Sequence, residues 1–173
     1  MTAAQIVFGT ARLSVRRFVA GDEAALASLL LDPATTEFLA LPPISGVRHV
    51  QAILAESIAA YAEETGPRAY AVESQADGQL VGFCASHSDG DRAIEIMYAL
   101  GRAMWGRGLG WELARALTHH CEEQFPGKAI SAYVVGENAA SIRILEKLAF
   151  RNLGWSEHQG FAGPVLRYER SPP

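Results

Sequence analysis

Gly106, Gly108 and Gly110 lie at alternate positions in the run Ala103-Met104-Trp105-Gly106-Arg107-Gly108-Leu109-Gly110-Trp111-Glu112. A strand-like stretch at 93–100 precedes them, and a helix is expected over 111–124. Glycine lets a backbone approach a ligand closely, and the first turn of a helix leaves N–H groups without intrahelical partners. Strand, glycine turn and helix therefore form an anion cradle, and a phosphate-bearing ligand is the first expectation. Two familiar cradles are excluded by spacing. A dinucleotide fingerprint needs a third glycine where Trp111 stands, and no Gly-Lys-Ser/Thr follows four spacers as in a P-loop.

Other residues could act on such a ligand. Glu95 is flanked by Ile94 and Ile96, so on a strand it faces the opposite side from them. Near a closed site its carboxylate could serve as a general base, directly or through water. The alternative is a strand carboxylate that faces solvent or pairs with an arginine. Asn138 stands just before a helical run, where Asn is a favoured N-cap, and Ser141 follows in the first turn. Arg107 could give phosphate a bidentate contact, or be a solvated loop charge. Arg102 and Arg143 could add positive field, with the same alternative. Trp105 and Trp111 could stack on a ligand or pack in the core. His119-His120-Cys121 invites a metal reading, but successive helical side chains diverge by about 100°, so three in a row do not converge on one ion. No metal site is expected.

The glycine loop resembles that of the GNAT N-acetyltransferase superfamily, Gln/Arg-x-x-Gly-x-Gly/Ala, with Trp105 in place of the usual Gln or Arg. It is more similar to the RimJ/RimL-like branch, whose aromatic-Trp-Gly-Lys/Arg-Gly-x-Ala/Gly-x-Glu run is completed here by Glu112. The segment Glu137-Asn138-Ala139-Ala140-Ser141-Ile142-Arg143-Ile144-Leu145-Glu146-Lys147-Leu148-Ala149-Phe150 resembles that branch's Asn-x-x-Ser-x-x-x-x-Glu-Lys-Leu-Gly-Phe, with Ala149 for the usual Gly. Leu13-Ser14-Val15-Arg16-Arg17-Phe18, Asp32-Pro33 with Glu37-Phe38-Leu39, and Leu80-Val81-Gly82-Phe83-Cys84 resemble the family's other segments in order.

The resemblance implies a co-substrate, acetyl-CoA, and a direct attack by a primary amine on its thioester. Trp105, Gly106, Arg107, Gly108, Leu109 and Gly110 would hold the pyrophosphate, and Asn138 would hydrogen-bond the pantetheine arm. That arm would lie where the strand at 129–135 splays from its neighbour. A backbone N–H near Met97 or Tyr98 would stabilise the oxyanion, and Ser141 would face the sulfur. The wider superfamily's acidic Tyr, seven residues after the Asn, is Leu145 here, which makes Ser141 the better candidate. Phe38, Leu39 and Pro42-Pro43 fall where the family walls its acceptor site, although ordinary packing is the simpler use. The acceptor is a protein N-terminal amine or a small amine. A longer acyl donor, and a non-catalytic acyl-CoA-binding or sensory domain, are the competing readings. Homodimers are common in the family.

These residues need elements to hold them. Strands are expected at 11–18, 69–74, 79–87, 92–100, 129–135, 151–157 and 164–170. Helices are expected at 21–31, 46–64, 111–124 and 138–149. Asp77-Gly78 marks a hairpin. Three consecutive central strands argue for a mixed, mostly antiparallel α/β (α+β) sheet rather than a doubly wound one. The expected GNAT fold has about six to seven strands and about four helices in one domain, 1–173. The chain has 173 residues, 49% of them apolar, which suits a single core. The net charge of −4 and the absence of a basic face give no reason to expect nucleic acid as a partner. No apolar run approaches a membrane span, and the N-terminus does not read as a signal peptide. Two cysteines suggest no disulfide framework. A cytoplasmic enzyme is expected.

Overall fold

The computed structural model describes residues 5–41, 43–63, 68–91 and 93–173. Within these, the chain runs β1 (Ile6–Gly9), β2 (Leu13–Arg16), α1 (Glu23–Leu30), α2 (Pro33–Thr36), α3 (Val47–Ala59), β3 (Arg68–Ser74), β4 (Leu80–Asp89), β5 (Ala93–Leu100), α4 (Leu109–Gln124), β6 (Ala129–Val134), α5 (Ala139–Lys147), β7 (Arg151–Ser156) and β8 (Val165–Arg170). Among the described residues the strands form one eight-stranded sheet, in the order β1-β2-β3-β4-β5-β6-β8-β7. Every adjacent pair is antiparallel except β5–β6.

Alternation along the strands divides the core in two. On one face Ile94, Ile96 and Leu100 pack with Leu113, Leu117 and Leu145 from α4 and α5. On the other, Ala71, Phe83 and Ala99 pack with Leu26, Leu30, Val50 and Leu54 from α1 and α3. Buried Arg16 bonds Asp22 through both terminal nitrogens (2.8 and 2.9 Å) and Glu73 through Nε (2.6 Å). This ties the start of α1 to β2 and β3.

The feature that positions the site is the β5–β6 junction. The two strands pair only at Ala93↔Ala129, Ile94↔Ile130 and Glu95↔Ser131. Beyond Glu95 they diverge, while β5 remains paired with β4 as far as Leu100. The backbone groups of Ile96–Tyr98 that face β6 therefore have no strand partner on that side. The expected splay is present.

The structure departs from the expected elements at four places. The first strand expected is two: β2 lies within 11–18, and β1 precedes it. β1 is four residues with exposed ends, too short for alternation to declare. The second concerns α2, a single turn capped by Asp32, whose side chain accepts from the Ala34 amide. That makes five α-helices and eight strands among the described residues. The third is α4, which starts at Leu109, because Gly108 is its N-cap with φ of 76°. The last is Ala149, which adopts φ of 62°, the left-handed conformation that a glycine would take there without strain. Pro42, Glu64 and Arg92, which fall within expected segments, lie outside the described residues.

Candidate active site

Two cavities meet at the β5–β6 gap. The larger, about 360 Å³, runs along the glycine loop past Trp105, Gly106, Gly108, Gly110 and Trp111. The smaller, about 50 Å³, reaches Glu95, Tyr133 and Phe161. Phe38, Leu39, Tyr98, Asn138 and Ser141 belong to both walls. Because Glu95 and Tyr98 lie on opposite faces of β5, a passage touching both crosses the sheet through the gap.

The loop is built for close approach. Gly106 has φ of 71° and nothing within 4 Å of where a Cβ would be. Gly108 is left-handed as well, and at Gly110 a Cβ would stand 3.3 Å from Ile144 Cδ1 on α5. The first amides of α4 open at this point, with the positive end of a sixteen-residue helix behind them. The Trp105 indole N–H donates to the Leu100 carbonyl (2.7 Å), and half the residue is exposed. Arg107 does not line either cavity; its Nη1 meets Met104 Sδ at 3.6 Å.

A strut missed in the sequence braces the loop. Glu112 accepts from Thr10 Oγ1 (2.6 Å), the Arg12 amide (2.9 Å) and Arg12 Nε (2.8 Å). Arg12 Nη1 donates to the Arg107 carbonyl at 3.0 Å. Burial pushes the Glu112 pKa up, but the bonds from Thr10 and Arg12 outweigh it and hold it below the ordinary range.

Asn138 caps α5: its Oδ1 accepts from the Ser141 amide at 3.1 Å. Its Nδ2 makes no bond among the described residues, and the side chain borders both cavities. Ser141 lies in the shared wall beside the Tyr98 phenol. That phenol oxygen is buried and meets no partner in bonding geometry among the described residues, although the Ser141 hydroxyl is close enough to pull its pKa down. Burial pushes the Tyr98 pKa up to about 12, opposed by Ser141. Met97 lines the smaller cavity.

Glu95 is buried, and its Oε2 is held twice. His158 Nε2 donates to it at 3.0 Å and His87 Nε2 stands at 3.1 Å. The Gly160 amide donates to His158 Nδ1, which leaves the His158 proton on Nε2. Tyr133 and Phe161 flank the His158 ring, with centroids at 4.4 and 5.5 Å. The hydrogen bond to Glu95 raises the His87 pKa, against desolvation. Glu95 Oε1 makes no bond among the described residues, and the residue lines the smaller cavity.

The sequence missed both histidines. His87 sits opposite Glu95 in the β4–β5 hairpin, so the register around Gly90 could have found it. His158 comes from the β7–β8 loop and carries no sequence signal. The expected divergence of His119, His120 and Cys121 is observed: His119 pairs with Glu123, His120 stacks on Phe8, and Cys121 is buried.

A sheet opened between parallel strands, with a glycine-loop helix on one side of the opening, defines the acetyltransferase class of the GNAT type. The chain belongs to that family: its model, described as the acetyltransferase (GNAT) domain, matches residues 12–151. The uncharacterized N-acetyltransferase p20 of Bacillus licheniformis is 26% identical over 148 residues, covering 84% of this chain and 82% of that protein. The fold is shared with the ribosomal-protein acetyltransferase RimL in complex with coenzyme A, at a TM-score of 0.81, 18% identity and coverage of 96% and 98%. It is also shared with the self-immunity acetyltransferase MccE in complex with acetyl-CoA and AMP, at 0.80, 12% identity and coverage of 98% and 97%. No helix among the described residues is long and apolar enough to cross a membrane.

Proposed function

We propose that this protein transfers an acetyl group from acetyl-CoA to a primary amine, by direct attack within a ternary complex. The observation that carries this reading is the passage joining the loop groove to Glu95 through a wall containing Ser141. A thioester held at the loop by its phosphates reaches an amine only there. The amides of Gly106, Gly108, Leu109 and Gly110 hold pyrophosphate, and Trp105 borders it. Arg107 adds charge from outside the groove. Asn138 keeps its cap on Oδ1 and offers Nδ2 to the pantetheine arm. Glu95 receives the amine proton on Oε1 while its other oxygen is fixed by two imidazoles. An unpaired amide near Met97 meets the oxyanion, and Ser141 meets the departing sulfur.

The smaller cavity, about 50 Å³, favours acetyl over a long acyl chain. The acceptor is a peptide N-terminus or a small amine; the fold shared with RimL supports the first. A cytoplasmic location accompanies this reading. Release of coenzyme A is measured with acetyl-CoA, a panel of small amines, and peptides with varied N-terminal residues. Turnover with one class is the expected result. Acetyl-CoA that raises the Tm but is never consumed would leave a binding or sensory domain.

A further inference from the structure

We infer that Tyr98 is a second hydrogen-bond donor to the coenzyme A sulfur, acting with Ser141 when the thiolate departs. The inference rests on the acetyl transfer proposed above. The Tyr98 hydroxyl is buried and completes no hydrogen bond among the described residues. Leaving such a group unpaired in a folded protein costs about 1–3 kcal/mol. A tyrosine used only for packing would be replaced by phenylalanine without that penalty. Tyr98 and Ser141 both line the wall common to the two cavities, and Tyr98 packs on the α4–α5 side of the sheet, from which the loop groove enters. Glu95 lies on the other face. The thioester carbon must pass between them, which puts its sulfur on the side of Tyr98 and Ser141.

The pKa decides what the phenol does. A thiol ordinarily titrates at about 8.5, whereas Tyr98 is raised to about 12. Full proton transfer from Tyr98 to a thiolate is uphill, so the proton stays on the phenol. The amine nitrogen bonds the carbonyl carbon, and its proton goes to Glu95. The C–S bond breaks, its electron pair goes to sulfur, and the thiolate leaves hydrogen-bonded to Tyr98 and Ser141. Leu145 stands where the superfamily's usual acid would be, and it brings no donor to the wall.

The test uses Tyr98→Phe and free coenzyme A. The thiolate absorbs in the ultraviolet, so the pKa of the bound thiol is read by titration. Tyr98→Phe should keep the Tm or raise it, since it removes an unpaired hydroxyl. It should raise the bound-thiol pKa by about one unit and lower kcat by about tenfold to a hundredfold, with acetyl-CoA affinity unchanged. Ser141→Ala measured alongside gives the share of the serine. An equal bound-thiol pKa in wild type and Tyr98→Phe overturns the inference and leaves acetyl transfer standing. Failure of the wild type to bind coenzyme A overturns both. Should the variant not fold, the wild type decides: a bound thiol that titrates no lower in the protein than in free coenzyme A overturns the donor pair.

Discussion

His87 and Glu95 face each other across the β4–β5 ladder, and the imidazole Nε2 lies 3.1 Å from the carboxylate oxygen that His158 also reaches. One oxygen of Glu95 is committed to two rings from different elements, and the other is left to the cavity. The carboxylate is thus oriented before any substrate arrives.

Glu95→Gln keeps that shape and removes the proton-accepting group. Turnover should fall about a hundredfold or more near neutral pH, with acetyl-CoA affinity unchanged, and the loss should shrink at high pH where free amine is abundant. Steady-state kinetics across pH measure this. A rate close to wild type would make Glu95 a structural anchor for the two histidines.

The raised His87 pKa gives stability a definite pH dependence. A folded-state value above the unfolded one stabilises fully below the unfolded pKa, about 6.5, and the contribution is lost as pH rises through the folded value. The Tm difference between wild type and His87→Ala should therefore be larger at about pH 5 than at about pH 9. Equal differences would show that the Glu95 contact does not favour the charged imidazole. His87 is 41% exposed in its side chain, so salt should weaken the effect.

Arg12 reaches the loop without touching either cavity. Arg12→Ala removes its side-chain bonds to Glu112 and to the Arg107 carbonyl and leaves its amide bond to Glu112 in place. Acetyl-CoA should bind about threefold to tenfold more weakly, the loss expected for bonds of this kind at a half-exposed site, while kcat stays close to wild type. Calorimetry and kinetics on one sample separate the two. A loss confined to kcat would contradict the role as a brace.

Ala149 ends α5 in the left-handed region, which costs an L-residue about 1–2 kcal/mol. Glycine relieves that strain but forfeits part of the gain through its larger unfolded-state entropy. Ala149→Gly should stabilise by about 0.5–1 kcal/mol and raise the Tm by a few degrees. Thermal melts decide it, and a lower Tm would mean the helix end gains nothing from glycine.

The backbone of the site was readable, and its side-chain partners were less so. Glycines at alternate positions before a helical run can do little else than open a loop, so Gly106 to Gly110 placed the groove. Asn138 declared its cap through residue type and position. Glu95 was found through alternation with Ile94 and Ile96. Partnership across distance was hidden: His158 arrives from a loop whose path depends on the whole sheet, and Arg12 meets Glu112 from the far end of the chain. Tyr98 was noticed for its backbone, because whether a phenol finds a partner is decided only when α5 and β5 come together. The short β1 and α2 escaped because four residues do not complete a pattern.

The three-pair junction of β5 and β6 makes the sheet two panels, β1–β5 and β6-β8-β7, joined along one short seam. A coenzyme arm lodged in the gap would act as a ligament, offering its amides where the ladder stops. On the function proposed above, the resting protein is weakest along the line of its reaction, and occupancy mends the sheet. Hydrogen exchange in β6 reports on this directly: its amides beyond Ser131 on the β5 side should gain protection when acetyl-CoA is added.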